Sequence, residues 1–257
     1  MRSEGLLVKT KLLVGAGDPE AIPVMAKLLC DEDETVRQHA AQSLSTIGPT
    51  VSEVLPDILG ALRDGNRVVR MYAALTLGSI RPQEDDTVRP LVKALQDAEI
   101  CVRIGAAEGL ARMGPDARNS IPALQAALLD EDHYVAVQAA LALYKIDGQI
   151  DLVLPVLIKG LKDPNSSRRI GAAEALKQLG PNAEGAVSAL IDAIDDKEID
   201  YHAVDALGAI GPRAQRAVPA LLVLMKGSRQ GSRWWIEEAL RKIDPETADK
   251  IGVPQAP

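Results

Sequence analysis

The sequence contains no phenylalanine, and aromatic residues fill only 2 % of its 257 positions. A core without large rings must be built from Ala, Leu, Val and Ile, which bring most of the 47 % hydrophobic content. That content argues against disorder. Ala and Leu are strong helix formers, and small Ala lets helices approach closely, so an all-α fold is expected. Cysteine is scarce. Cys30 and Cys101 alone cannot make a disulfide framework or a cysteine metal site. The three histidines, His39, His133 and His202, are never followed by Glu, which excludes an H-E-x-x-H zinc helix. No apolar run reaches the roughly 18 residues of a membrane span. The N-terminal MRSEGLLVKTKLLVGAGD mixes charge with its leucines and does not read as a signal peptide. The default expectation is a cytoplasmic protein without a membrane span. Basic charge is also in deficit: 29 Lys and Arg against 36 Asp and Glu give a net charge of −7. Nucleic-acid binding rests on cations that neutralise phosphates, so no nucleic-acid partner is expected.

What the sequence does have is repetition. VRIGAAEGLARMGPDARNSIPAL (102–124) returns as RRIGAAEALKQLGPNAEGAVSAL (168–190). Prolines 23, 56, 90, 122, 155 and 219 follow at steps of 33, 34, 32, 33 and 64. The last step is two units, and Ser188 stands at its midpoint. Eight residues before these anchors lie Gly15, Gly48, Gly114, Gly180 and Gly211. Each unit reads as two helices. Helix A starts near the proline, where a missing N–H costs nothing. Helix B ends at an aliphatic-Gly pair, with Gly expected in the left-handed conformation of a helix stop. A second ladder checks the register. Asp31, Asp64, Asp97, Asp130 and Asp163 recur at one constant interval, followed six residues later by Arg37, Arg70, Arg103, Ala136 and Arg169. The Asp falls in the A–B turn and the Arg in the first turn of helix B.

The stretch DEDETVRQHAAQSLSTIGP (31–49) follows the pattern D-x-D-x-x-V-R-x-x-A-A-x-x-L-x-x-[IL]-G-P. On these residues the chain resembles HEAT repeats, in the short bacterial and archaeal variety also seen in phycobilin-lyase-type proteins. The resemblance covers nearly the whole chain. It implies a right-handed α-solenoid with one concave and one convex face, and a ladder in which Asp and Arg hydrogen-bond within and between neighbouring units. Ala136 and Asp200 stand where Arg is expected, so the ladder should break in those two units. One single domain is expected over 1–257: a half repeat at 4–17, then about seven helical hairpins near 18–48, 49–81, 82–114, 115–147, 148–180, 181–211 and 212–244, with a tail at 245–257. The last pair is atypical, with the turn KGSRQGSR (226–233) and the only tryptophans, Trp234 and Trp235. End units of a stack lack one neighbour. Cys30 and Cys101 fall two repeats apart, on the order of 20 Å. That is beyond disulfide reach, so two largely buried thiols are expected.

A search for chemistry returns nothing catalytic. Gly15-Ala16-Gly17 starts like a dinucleotide loop, but no strand precedes it and Glu20 fills the last position. No G-x-S-x-G nucleophile motif or G-x-x-x-x-G-K-[ST] phosphate loop occurs. Asp31, Asp33, Asp130 and Asp132 read as caps and turn residues. The turn at 226–233, with its Gly, Ser and three cations, could cradle an anion, but a turn in an irregular end repeat is the better reading. The expectation is a protein that is not an enzyme and needs no cofactor or metal.

A partner surface can be placed by register. In the resembled family helix B lines the concave face, and residues one, two, five and nine past the Arg position share one side of that helix. They give His39, Gln42, Met71, Tyr72, Leu75, Glu108, Arg112, Gln138, Leu141, Lys145, Glu174, His202, Asp205, Trp235 and Glu238 as candidate contacts. Apolar Met71, Tyr72, Leu75, Ile104, Val137 and Leu141 run through the middle, and acids gather toward the C-terminus. Such a groove suits a basic amphipathic helix or an extended peptide. Two bland readings stand beside this one. The aliphatic residues could be core between adjacent B helices, and the tryptophans could pack the last repeat against the tail. The expected function is a protein-interaction scaffold with a protein or peptide partner. The alternative is a phycobilin-lyase-like or chaperone-like subunit that handles a tetrapyrrole or its carrier protein, using Tyr72, Tyr144 and Arg112. A DNA-handling role would need a basic stripe that this face lacks.

Overall fold

The computed structural model describes residues 21–47, 53–80, 84–227 and 233–252, with the side chains of 84 and 85 excepted. The expected half repeat at 4–17 and most of the 226–233 turn lie outside these residues. The described residues are helical, without strands. Their contacts divide the chain into two compact units, Met1–Gly148 and Gln149–Pro257, whereas the repeat pattern alone points to one domain. The boundary follows Gly148, where the Gly-Pro pair of other repeats is replaced by Gly-Gln.

Among the described residues the first unit contains four hairpins. They are α1 (Ala21–Leu28) with α2 (Glu34–Ile47), α3 (Leu55–Ala61) with α4 (Arg67–Leu77), α5 (Glu84–Ala94) with α6 (Ile100–Met113), and α7 (Ile121–Ala127) with α8 (His133–Asp147). The second contains α9 (Ile150–Gly160) with α10 (Ser166–Leu179), α11 (Val187–Ala193) with α12 (Asp200–Ile210), and α13 (Val218–Gly227) with α14 (Trp234–Ile243), then a short α15 (Pro245–Lys250). In each pair the first is an A helix and the second a B helix.

The short A–B turns are held by side chains. Asp31, Asp64, Asp97, Asp130 and Asp163 each accept the amide of the residue two positions on, at 2.7–2.9 Å. A second polar residue then caps helix B. Asp33 accepts from the Thr35 amide, Asn66 from Val68, Asp132 from Tyr134 and Asn165 from Ser167, at 2.8–2.9 Å. These bonds satisfy amides that have no partner within the helix. Along α2, α4, α6, α8 and α10 the Ala-Ala pair and the Leu that follows it face inward. Leu44, Leu77, Leu110 and Leu143, at matching places in successive units, are at most 1 % exposed. Burying one leucine contributes about 1.5–3 kcal/mol, and the spacing repeats that gain in every hairpin.

Two glycine features set the geometry. Gly114, Gly180 and Gly211 end their B helices with φ of 54–68° and ψ near −135°, not in the left-handed helical well expected; among the described B-helix ends Gly148 alone takes that well, at φ 68° and ψ 22°. The extended ψ turns the chain into a 3-10 elbow opened by Pro115, Pro181 or Pro212. A matching alanine is completely buried in each elbow, Ala117, Ala183 or Ala214, joined by Ala186 and Ala217 in the last two. Elsewhere, Gly109 allows a close helix crossing. A Cβ there would lie 2.7 Å from the Ala74 carbonyl oxygen, so α4 and α6 meet through backbone.

Candidate functional site

The Asp and Arg positions form rungs between successive hairpins. Arg37 donates to both carboxylate oxygens of Asp64 at 2.7 and 3.2 Å, Arg70 to those of Asp97 at 2.9 and 3.0 Å, and Arg103 to those of Asp130 at 2.8 and 3.0 Å. The remaining guanidinium nitrogen turns back on its own A–B turn. It donates to the carbonyl oxygens of Asp31, Asp64, Asp97 and, in the second unit, Asp163 at 2.8–3.0 Å. Each arginine thus closes its own turn and clamps the next one. The Asp64, Asp97 and Asp130 bonds hold the Arg37, Arg70 and Arg103 guanidinium groups further above their usual pKa range. At Asp97 burial pushes the carboxyl up, but the Arg70 and Glu99 hydrogen bonds outweigh it and the net shift is down. A further rung joins Arg169 to Asp196 at 2.8 Å and to Glu198 at 2.6 Å. Asp196 continues the constant interval of the ladder and was readable from spacing, but its turn, DDKEID, departs from the D-x-D pattern and hid it.

The rungs are structural, and they fix the register of the B helices whose outer sides carry the candidate contacts. In the first unit His39 and Gln42 lie on α2, Met71, Tyr72 and Leu75 on α4, Glu108 and Arg112 on α6, and Gln138, Leu141 and Lys145 on α8. Between the N-terminal halves of α4 and α6 the structure leaves an open groove of about 480 Å³, lined by Val68, Met71, Ile100, Cys101 and Ile104. The Arg67–Glu99 ion pair, 3.1 Å long, lines it too. Ile100 is 43 % exposed, while Met71 and Ile104 are half-buried. Register reasoning named Met71 and Ile104 but missed Val68 and Ile100. These lie one turn earlier on their helices, at positions i−3 and i−4 from the register residues. Gly105 belongs to the same contact, because a Cβ on it would meet the Met71 carbonyl oxygen at 2.9 Å.

Leu141 and Val137 are corrections. They are 5 % and 1 % exposed, so neither offers a contact surface. α8 reads VAVQAALAL, apolar nearly all round, and such a helix is buried all round. The thiols also differ from expectation: Cys30 is exposed and Cys101 half-buried, and both are free. Arg112 is committed to the end of α4, where it donates to the Leu75 carbonyl at 3.3 Å and the Ser79 hydroxyl at 3.2 Å. Burial raises the pKa of Glu108 against the opposing pull of Arg112 and Lys145. His39 keeps a buried Nδ1 without a hydrogen-bond partner among the described residues.

In the second unit Glu174 approaches His202 at 3.7 Å, and Lys177 pairs with Asp205 at 2.7 Å. Glu238 pairs with Arg241 at 2.9 Å and Lys242 at 3.2 Å. Three of the chain's six Tyr and Trp residues gather here. The Tyr201 ring lies 6.1 Å from Trp234, 5.7 Å from Trp235 and 5.3 Å from His202 between centroids. The tryptophans therefore pack on the preceding B helix. Among the described residues no cluster of His, Cys, Asp or Glu could hold a metal ion, and no helix is long and apolar enough to cross a membrane.

A family model described as HEAT repeats matches residues 10–64, 88–177 and 154–241. No curated protein matches the chain. Among solved structures, the complex of CpcE and CpcF of phycocyanin lyase from Nostoc sp. PCC7120 is similar at a TM-score of 0.57 and 20 % identity, over 85 % of this chain and 88 % of that one. The Escherichia coli protein YibA is similar at 0.57 and 23 % identity, over 95 % and 97 %. Kap95p, solved with RanGDP, is similar at 0.60 and 14 % identity, over 88 % of this chain and 35 % of that one. At these identities the likeness is one of fold: an all-α solenoid of stacked helical hairpins.

Proposed function

The chain belongs to the HEAT-repeat family, and on that premise we propose that it is a non-enzymatic interaction scaffold that takes an apolar segment of a partner protein or peptide on its B-helix face. The observation that carries this reading is the groove between α4 and α6. It is open, about 480 Å³ in volume, and floored by Val68, Met71, Ile100 and Ile104. Apolar surface left open in this way is typical of a contact site, and an amphipathic helix fills such a groove with side chains at i, i+3, i+4 and i+7. The Arg67–Glu99 pair supplies a polar rim of both signs. Leu75 and Tyr72, half-buried further along α4, extend the contact. In the second unit Trp234, 62 % exposed, and Tyr201, 39 % exposed, are anchors of the kind interfaces favour.

The phycocyanin-lyase neighbour raises a second reading, a subunit that handles a tetrapyrrole or its carrier protein. That site would need aromatics and cations turned into one pocket. Arg112, its expected cation, turns its Nη1 to Leu75 and Ser79 instead, so this reading has less support.

The test is affinity capture from source-cell lysate with wild type and with the variant Met71→Asp/Ile100→Asp, both checked by circular dichroism. A protein captured by wild type and lost with the variant supports the groove. Equal capture by both removes it. A coloured eluate without a protein partner favours the tetrapyrrole reading.

A further inference from the structure

The elbows at 114–120, 180–186 and 211–217 have a packing role. The elbow at 114–120 packs against the preceding A helix, α5; the one at 180–186 packs against α9 and the one at 211–217 against α11. The A helices that follow these elbows begin one residue ahead of the anchor position, at Ile121, Val187 and Val218. Two A helices start earlier: α5 is already helical at Glu84, six residues ahead of Pro90, and α9 at Ile150, five ahead of Pro155. Residues 84–87, whose counterparts one repeat on belong to the elbow at 114–120, are helical here. A cleft of about 570 Å³ lies between α3 and α5. Its volume falls within the range of about 300–1,000 Å³ typical of small-molecule sites.

The lining of this cleft has two characters. Leu59 and Leu62 from α3 and its end, with Pro90 and Ala94 from α5, provide an apolar floor. Arg63, Arg89 and Lys93 stand around it. The carboxylates present are Asp86 and Asp97, and Asp97 is already clamped by Arg70 at 2.9 and 3.0 Å. Arg63 and Lys93 therefore stand beside Asp86, a carboxylate that no arginine rung holds. Arg63 and Lys93 are exposed and make no ion pair among the described residues. Two such cations on one apolar cleft stand out in a chain of net charge −7. Pro90, inside α5, also lacks the N–H that would bond the Asp86 carbonyl one turn back, so a backbone acceptor is left at the rim.

We propose that this cleft binds a small amphipathic anion, with its aliphatic or aromatic body on Leu59, Leu62 and Pro90 and its acidic head between Arg63 and Lys93. The site is separate from the groove of the B helices and stands whether or not that groove binds a protein. Apolar contact supplies affinity, and charge-assisted hydrogen bonds select the head group.

The probe is the fluorescent anion 8-anilinonaphthalene-1-sulfonate, titrated into the full chain, with decanoate, decyl phosphate and decyltrimethylammonium as competitors. The expected result is saturable, blue-shifted emission that decanoate or decyl phosphate displaces and the cationic detergent does not. Whichever anion displaces at lower concentration identifies the head group. Arg63→Glu/Lys93→Glu should weaken the probe at least tenfold. Both side chains are exposed, so the fold should be kept. Met71→Asp, in the other groove, should leave the affinity unchanged. Absence of saturable binding, displacement by the cation as readily as by the anions, full affinity in the charge-reversed variant, or loss in Met71→Asp would each overturn the assignment.

Discussion

Replacing Arg103 with methionine isolates one rung of the ladder. Arg103 is 7 % exposed and donates four hydrogen bonds: two to Asp130 at 2.8 and 3.0 Å, and two to the carbonyls of Asp97 and Ala98 at 3.0 and 3.2 Å. Methionine keeps much of the apolar stem. It leaves the Asp130 carboxylate, 12 % exposed, holding the Asp132 amide at 2.8 Å. Breaking a buried pair from one side costs about 3–5 kcal/mol, because the other charge stays behind unpaired. The amide bond and residual solvent access place this loss at the lower end, about 3 kcal/mol. For a chain of this size that lowers Tm by about 6–12 °C. Urea unfolding followed by circular dichroism gives the loss directly, with Asp130→Asn and the double variant completing the cycle. The double variant should lose less than the sum of the singles by at least about 1.5 kcal/mol. Arg67→Met removes an ion pair whose side chains are 64 % and 42 % exposed, and should cost under about 0.5 kcal/mol. If Arg103→Met costs no more than Arg67→Met, or if the cycle is additive, the ladder does not hold the hairpins together.

Other substitutions probe the packing and charge of the B helices. Gly109→Ala puts a methyl 2.7 Å from the Ala74 carbonyl and forces α4 and α6 apart, at a cost of about 1–3 kcal/mol in thermal unfolding. Glu108→Gln should stabilise the chain near neutral pH and do little below the ordinary glutamate pKa. Burial raises the folded-state pKa of Glu108, so the wild type loses stability as pH rises through the unfolded value, and the neutral amide avoids that loss; unfolding curves at two pH values measure it. Tyr201→Ala removes the ring against which Trp234 and Trp235 pack, at 6.1 and 5.7 Å. It should shift tryptophan emission to the red and cost about 1–2 kcal/mol, as expected for lost aromatic pairs on a partly exposed site.

Much of the fold was legible because a repeat writes the same physics several times. Asp64 and Arg70 mean little alone, but their recurrence at one constant interval marks them as a turn and its clamp. The carboxylate–guanidinium bonds follow that register. The departures are local. Asp196 was overlooked because its neighbours leave the pattern, although its interval does not. Leu141 was assigned to the surface by helical position, yet α8 has no polar stripe to turn outward, so position could not decide its exposure. Ile100 and Val68 were passed over because the register was counted from the arginine, whereas the groove opens one turn before it. The start of α5 at Glu84 was also hidden: Pro90 marks the A helix but not how far ahead of it the chain is already helical. Cys30 shows the limit of composition, since a small apolar residue type is exposed here by its place at the end of an A helix.

The most direct test of the scaffold reading uses the thiol in the groove. Cys101 is half-buried among Val68, Met71, Ile100 and Ile104, so a partner seated there must cover it. In a Cys30→Ser background, the rate of maleimide labelling at Cys101 is measured alone and with saturating captured partner. Labelling slowed at least tenfold by the partner, with the Met71→Asp/Ile100→Asp variant showing no protection, is the result the account predicts. An unchanged labelling rate in a complex that demonstrably forms would place the partner elsewhere and contradict it.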